Sequence, residues 1–224
     1  MLDSAAYVEP KIHGMYQIGA FVLGWFTWTF AEYVMHRFLM HEPKGRGLPS
    51  REHLNHHASR DSILEKWAVA WAGILGLGIA IYVNAGKVVP TSVALALAMG
   101  WVVGYGFYDW MHFRAHRRTY FRLAPLRRYE RRLRRHHFHH HFGHPLRNHG
   151  VTHPLFDIAF GTLDRVDGPV RVPRRLAMVW LVDDKGELRP EHAADWQLTG
   201  VADMTPEQRA ADKRAAFANA APAA

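Results

Sequence analysis

Ten of the seventeen histidines in this 224-residue chain fall into four short groups: His36 and His41; His53, His56 and His57; His112 and His116; His137, His140 and His141. Neutral imidazole is a common transition-metal ligand, and ten of them suffice for two ions. On a helix each residue advances about 100°, so positions i, i+3 and i+4 share a face. The second and fourth groups obey that rule as HxxHH, and His112 and His116 share a face too. His36 and His41 stand five apart, which a straight α-helix would separate, so the helix is expected to end or unwind near Phe38–Met40. There is no cysteine. That excludes disulfides, thiolate ligands and iron–sulfur clusters carried by this chain, and leaves histidine as the metal donor.

Plainer readings exist for each group taken alone. A single His-x3-His on a helix is common by chance. The run His136–His141 could simply extend the neighbouring arginines as a solvated segment that binds anionic headgroups. Four groups together, two of them repeating HxxHH, argue against chance. His136, with His139 and His140, offers a second register for the fourth group. Asp109 and Asp157 are candidates to accept a ligand's free N–H, with helix capping or arginine pairing as the simpler role for each. His136 and His153, with His144 and His149, are candidates to stand beside the ligands or the substrate. Glu32, costly to bury alone, is expected to pair with an arginine or a ligand histidine.

The elements that position these groups are long and apolar. Met15–Met35 is about the length needed to cross a bilayer core. Trp67–Val83 is followed by Asn84-Ala85-Gly86-Lys87, a turn composition, and then by a third run from Val88 to Trp110 that contains Pro90 and several glycines. The expected fold class is all-α: a membrane-embedded helical bundle of about three transmembrane helices, with a cytoplasmic His-rich helical di-metal domain. A soluble bundle of buried helices is the alternative, but three such runs are more apolar than amphipathic helices usually are. Three crossings put all four histidine groups at one membrane face.

Charge then orients the chain. The net charge is +8, and it is patchy. The histidine side carries Lys44, Arg46, Arg51, Arg60 and Lys66, and ten arginines between residues 114 and 135; the other side shows little beyond Lys11 and Lys87. By the positive-inside rule the active site faces the cytoplasm. No basic segment precedes the first apolar run, so a cleavable signal peptide is not expected. The expected organisation is an N-terminal segment over 1–14, a membrane-embedded catalytic domain over 15–163 and a partly disordered cytoplasmic tail over 164–224. Within the tail, Ala177–Leu188 reads as a short hairpin turned at Asp183–Gly186, and a frayed helix starts near Thr205.

The segments EYVMHRFLMH, HLNHH, DWMHFRAH and HHFHHHF, followed by GVTHPLFDIAFGT, resemble the fatty acid hydroxylase/sterol desaturase superfamily of membrane di-metal oxygenases. The resemblance covers residues 30–163. It implies that His36, His41, His53, His56, His57, His112, His116, His137, His140 and His141 are the metal ligands, and it favours the His137 register. It also implies two iron ions, with zinc a plausible occupant of purified protein, and dioxygen as co-substrate. The substrate implied is a fatty acyl chain hydroxylated near its carboxyl end; a sterol or carotenoid is the alternative within the superfamily. Outside it, the alternative is a non-enzymatic zinc-binding or zinc-transport protein, disfavoured because runs two and three carry no ionisable group at mid-membrane. Relatives often have four membrane helices where this chain shows three, and some carry a fused cytochrome b5 domain that is not seen here. No nucleotide or flavin fingerprint is present, since Gly104 and Gly106 sit within an apolar run. Electrons are therefore expected from an external ferredoxin, cytochrome b5-like protein or reductase docking on the arginine-rich face, which could equally anchor to anionic lipid. No nucleic-acid partner is expected.

Overall fold

The structure, a computed structural model, describes residues 4–59, 67–117 and 121–223. Arg60, Lys66 and Arg118 lie outside the described residues, as do the side chains of Lys11, His13 and Trp67. In chain order the elements are α1 (Ser4–Val34), a π-helical segment (Met35–His41), α2 (Leu48–His57), α3 (Trp67–Ala85), α4 (Thr91–Arg117), α5 (Ala124–Phe142), α6 (Leu155–Ala159), β1 (Val170–Pro173), β2 (Trp196–Thr199) and α7 (Pro206–Phe217). The fold is mostly helical, as expected, with one small parallel sheet pairing Val170 with Trp196 through Pro173 with Thr199. Two compact units form, one within Met1–Ala31 and Lys66–Asp109, the other within Glu32–Glu65 and Trp110–Ala224.

In the first unit the three apolar runs are helices. Among the described residues the spans long and apolar enough to cross a membrane are Gly14–His41, Ala68–Ala85 and Thr91–Arg117. Their outer faces leave Ile18, Val22, Ile79 and Leu95 exposed, which suits lipid and not water. Helices α1 and α4 approach almost backbone to backbone. A Cβ on Gly24 would sit 2.1 Å from the Leu97 carbonyl oxygen, and one on Gly100 would sit 2.0 Å from that of Phe21. Small residues allow such close crossings, where dispersion and not water exclusion holds apolar helices together. Beside them Trp28 is buried, with Trp101 and Tyr105 edge-on to it at 5.2 and 5.0 Å. The Asn84–Lys87 turn forms, and Pro90 directly precedes α4.

The second unit differs from expectation in three places. The segment from His36 to His41 does not unwind. It is π-helical, with the Glu42 N–H closing on the Arg37 carbonyl at 3.0 Å, five residues back. The wider i→i+5 turn returns residue five to nearly the same face, so both imidazoles point inward without any break. Ser50 ties the end of this segment to α2, donating to the Met40 carbonyl at 2.7 Å.

Residues 164–223 are folded rather than a part-disordered tail. Val172, Met178, Leu181 and Trp196 pack with Phe138 of α5 into a hydrophobic core. Arg175 and Asp212 form a buried bidentate pair that holds α7, and a Thr205–Gln208 capping box starts that helix. Apolar residues alternating with polar ones over short stretches were too sparse to announce this core in the sequence. The Asp183–Gly186 turn does form, with a single antiparallel bridge, Val182 to Leu188, in place of a hairpin ladder.

Among the described residues Glu32 pairs with neither arginine nor histidine. Its carboxylate accepts the N–H groups of Val151 and Thr152 at 2.6 and 2.9 Å and the Thr152 hydroxyl at 2.6 Å. Backbone donors in an irregular loop satisfy a buried carboxylate as well as a cation does.

Candidate metal centre

All ten grouped histidines are buried and converge in two sets of five. His36, His41, His53, His57 and His140 form one set; His56, His112, His116, His137 and His141 form the other. Within each set, one nitrogen from every ring lies within 4.8 Å of all the others. The sets cut across the sequence motifs. In α2, His53 and His57 belong to the first set while His56 turns to the second; in α5, His137 and His141 belong to the second and His140 to the first. Each HxxHH therefore serves both sets. His57 and His141, stacked 4.0 Å apart and nearly coplanar, stand where the two meet.

The nitrogens are packed in a way that protons cannot satisfy. His53 Nε2 lies 3.0 Å from that of His36, 2.8 Å from that of His41 and 3.0 Å from that of His57. One Nε2 carries either one proton or one lone pair, so three such contacts cannot all be hydrogen bonds. In the second set, His112 and His56 approach to 3.1 Å, and His116 and His137 to 2.9 Å, again Nε2 to Nε2. An ion bound at the usual metal–imidazole distance separates adjacent donors by roughly 2.9–3.4 Å. The donor set therefore fits a cation at the middle of each group.

The far sides of the rings set the tautomer. His36 Nδ1 donates to the His149 carbonyl at 2.5 Å, His140 Nδ1 to the Arg147 carbonyl at 2.7 Å, and His41 Nδ1 to Asn219 Oδ1 at 2.9 Å. With the proton on Nδ1, the Nε2 lone pair faces the centre. Asn219, just beyond α7, also donates to the His41 carbonyl at 3.0 Å. Nothing in the histidine spacing marks it; its only local signal is an Asn with positive φ after a helix.

The remaining candidates take supporting or unrelated positions. Asp157 accepts the N–H groups of His149 and Gly150 at 2.8 Å each and the Thr162 hydroxyl at 2.8 Å, with the His136 ring 3.3 Å away. It thus steadies the backbone whose carbonyl holds His36, one step removed from the ring itself. Burial alone would raise its pKa, but the His136 and His149 rings and the Gly150 N–H outweigh that and hold the carboxyl well below the usual range. His136 belongs to neither set, so the His137 register is the one that converges. His153 is exposed and accepts the Leu155 N–H at 3.0 Å, at the start of α6. Asp109 is also in neither set; it accepts the Trp71 indole N–H at 3.2 Å. His149 is buried, and its ring stands 5.5 Å from that of His36 and 5.6 Å from that of His140.

A model of the fatty acid hydroxylase family matches residues 21–162. The chain belongs to the fatty acid hydroxylase family. The matched stretch contains all ten converging histidines, while Asn219 and the elements β1, β2 and α7 lie beyond it. The chain is 31% identical over 151 residues to the dihydroceramide fatty acyl 2-hydroxylase of Arabidopsis thaliana, covering 66% of this chain and 62% of that protein. It is 32% identical over 158 residues to the fatty acid 2-hydroxylase of Mus musculus, covering 65% of this chain and 40% of that one. The chain thus spans less than two thirds of the length of either relative. Among solved structures, full-length scs7p, in which only the hydroxylase domain is visible, superposes with a TM-score of 0.52 at 26% identity, over 70% of this chain and 59% of that chain.

In this member of the fatty acid hydroxylase family the centre is built to stay neutral. Burial, with neighbouring imidazoles adding to it, holds His53, His57, His137, His140 and His141 well below the ordinary histidine pKa. In the unfolded chain these rings titrate near 6.5. Below about that pH the unfolded state takes up protons that the folded state refuses, so stability is full above it and is lost as pH falls toward the lowered values. Denaturation midpoints are expected to hold between about pH 7 and 8 and to drop steadily from about pH 6.5 to 5. Equal midpoints at the two ends of that range would contradict this burial.

Proposed function

We propose that the chain is a membrane lipid hydroxylase that places one oxygen atom on a fatty acyl chain, next to the carboxyl or amide carbon, using two iron ions held by the ten histidines. The observation that carries this reading is the pair of five-imidazole sets within a chain of the fatty acid hydroxylase family. The position on the acyl chain is taken from the names of the relatives, which are 2-hydroxylases. The balance is R–H + O2 + 2 e− + 2 H+ giving R–OH + H2O. Bound iron supplies the dioxygen activation that no side chain can provide, although all-imidazole sites bind zinc as readily by affinity.

The chain's own groups do the rest. The Nδ1–H bonds of His36, His41 and His140 fix ring orientation, and Glu32 and Asp157 clamp the loop from His149 to Thr152 that accepts the first of them. Helices α1, α3 and α4 cross the bilayer in this reading. Helix α1 runs on into the segment that carries His36, and α4 carries His112 itself. The positive-inside rule puts the centre at the cytoplasmic face.

The two electrons come from a separate acidic donor. Of the arginine-rich stretch, Arg114 and Arg134 are committed to Glu130, and Arg131 and Arg135 to Asp195. Arg122, Arg127 and Arg128 remain exposed along an open groove that Arg189 also lines. That is the surface offered to the donor.

Lipid mass spectrometry of cells producing the chain, with and without the His140→Ala variant, tests the proposal. Acyl lipids heavier by one oxygen, fragmenting to a 2-hydroxy acid, are expected only with the unaltered chain. An unchanged acyl profile alongside a new hydroxylated sterol or carotenoid would refute the acyl assignment.

A further inference from the structure

A third histidine group lies outside the two sets. His139 Nε2 and His144 Nδ1 each stand 2.8 Å from the same carboxylate oxygen, Oδ2 of Asp164. One donor atom from each residue lies within 4.8 Å of the other two, and the rings are 5.5 Å apart. His144 is 64% exposed, while His139 and Asp164 are about a quarter to a third exposed, at 23% and 31%. The group is thus open to solvent, unlike the ten buried imidazoles.

Three features make this a built arrangement. The end of α5 folds back sharply, with the Gly143 and His144 N–H groups both donating to the His139 carbonyl at 2.8 and 2.9 Å. That return sets His144 beside His139. It requires glycine at 143, because a Cβ there would sit 2.8 Å from Cε1 and Nδ1 of the His139 ring. On the other side the buried Asn148 clamps Asp164 by its backbone, accepting its N–H at 2.7 Å and donating to its carbonyl at 2.9 Å. The third feature is convergence. A carboxylate that only accepts hydrogen bonds has two oxygens over which to spread its donors, yet both rings address one.

We propose that His139, His144 and Asp164 form a separate surface site for one divalent transition-metal ion of the zinc class. Two imidazoles and a carboxylate are ligands for zinc, nickel or cobalt, and too few oxygens for magnesium or calcium. At metal–ligand distances of about 2.0–2.2 Å the donors stand roughly 2.9–3.4 Å apart, so 2.8 Å opens by only a few tenths of an ångström. Solvent fills the remaining positions. The ion would tie the end of α5 to the segment after α6. These are the flanks of the stretch whose Arg147 and His149 carbonyls hold His140 and His36.

The test is metal counting on tag-free protein, comparing the unaltered chain with His144→Ala and Asp164→Asn. Each is dialysed against micromolar zinc and read by elemental mass spectrometry before and after a brief chelator wash. The unaltered chain is expected to hold one zinc more than either variant before the wash, and the same number after it. Reading a difference keeps the result independent of how many ions the buried histidines bind. Equal zinc in all three proteins before the wash overturns the site. So does a loss of two or more ions in either variant, which would make these residues supports of the buried centre instead.

Discussion

His53→Ala is expected to lower hydroxylation at least about 100-fold and to cost the protein bound metal. Changes to groups that merely hydrogen-bond a metal ligand commonly cost 10–100-fold in affinity or activity, and His53 is closer to the centre than any such group. Its Nε2 touches three of the four other imidazoles of its set, so its loss both removes a donor and unties the spacing of the rest. It also lies one turn from His57, which stacks on His141 of the second set, so the effect should reach both. His153→Ala is the control: that ring is exposed and serves α6 alone, and metal content and turnover should stay near those of the unaltered protein. Normal metal content and turnover in His53→Ala would remove the basis for a centre made of these ten residues.

Glu130→Ala is expected to be the most destabilising single change away from the imidazoles, by about 3–5 kcal/mol. Glu130 is buried and accepts four donors: Arg114 Nε and Nη2 at 3.2 Å each, Arg134 Nη2 at 2.8 Å and the Phe121 N–H at 2.7 Å. Arg134 is itself 1% exposed, with its guanidinium 4.5 Å from the centre of the Trp180 ring. Taking away the carboxylate strands one cation in an apolar interior and leaves a second half-buried. A chain of this size converts that loss to a fall in thermal midpoint of roughly 6–20 °C. Because His137 begins the turn after Arg134, metal retention should fall with it. A midpoint lowered by less than about 2 °C would show that water or neighbouring groups satisfy the arginines without Glu130.

Much of this was legible in the residues alone, for a local reason. Helical spacing is a property of neighbours in sequence, so HxxHH and HxxxH announce inward-facing imidazoles before any fold is known. The apolar runs announce helices in the same way. Where local rules were silent, expectation and structure diverged. His36 and His41 looked like a broken helix because α-helical spacing cannot unite residues five apart, and a π-turn can. Glu32 looked in need of a cation because its true partners, Val151 and Thr152, lie 119 and 120 residues away as backbone amides. Residues 164–223 looked like a tail because each of their short apolar stretches is too small to bury itself; packed on Phe138 together they form a core.

What the sequence by itself determined was the inventory: ten imidazoles, no competing thiolate, and three long apolar runs. Only the tertiary structure decided which imidazole joins which set, splitting each HxxHH between two centres, and which distant groups hold the rings in place. The reason is geometric. Spacing along a helix fixes the direction a side chain leaves the axis, but the company it keeps depends on how separate helices meet. Asn219 and His41, 178 residues apart and bonded twice to each other, could be brought together by nothing else.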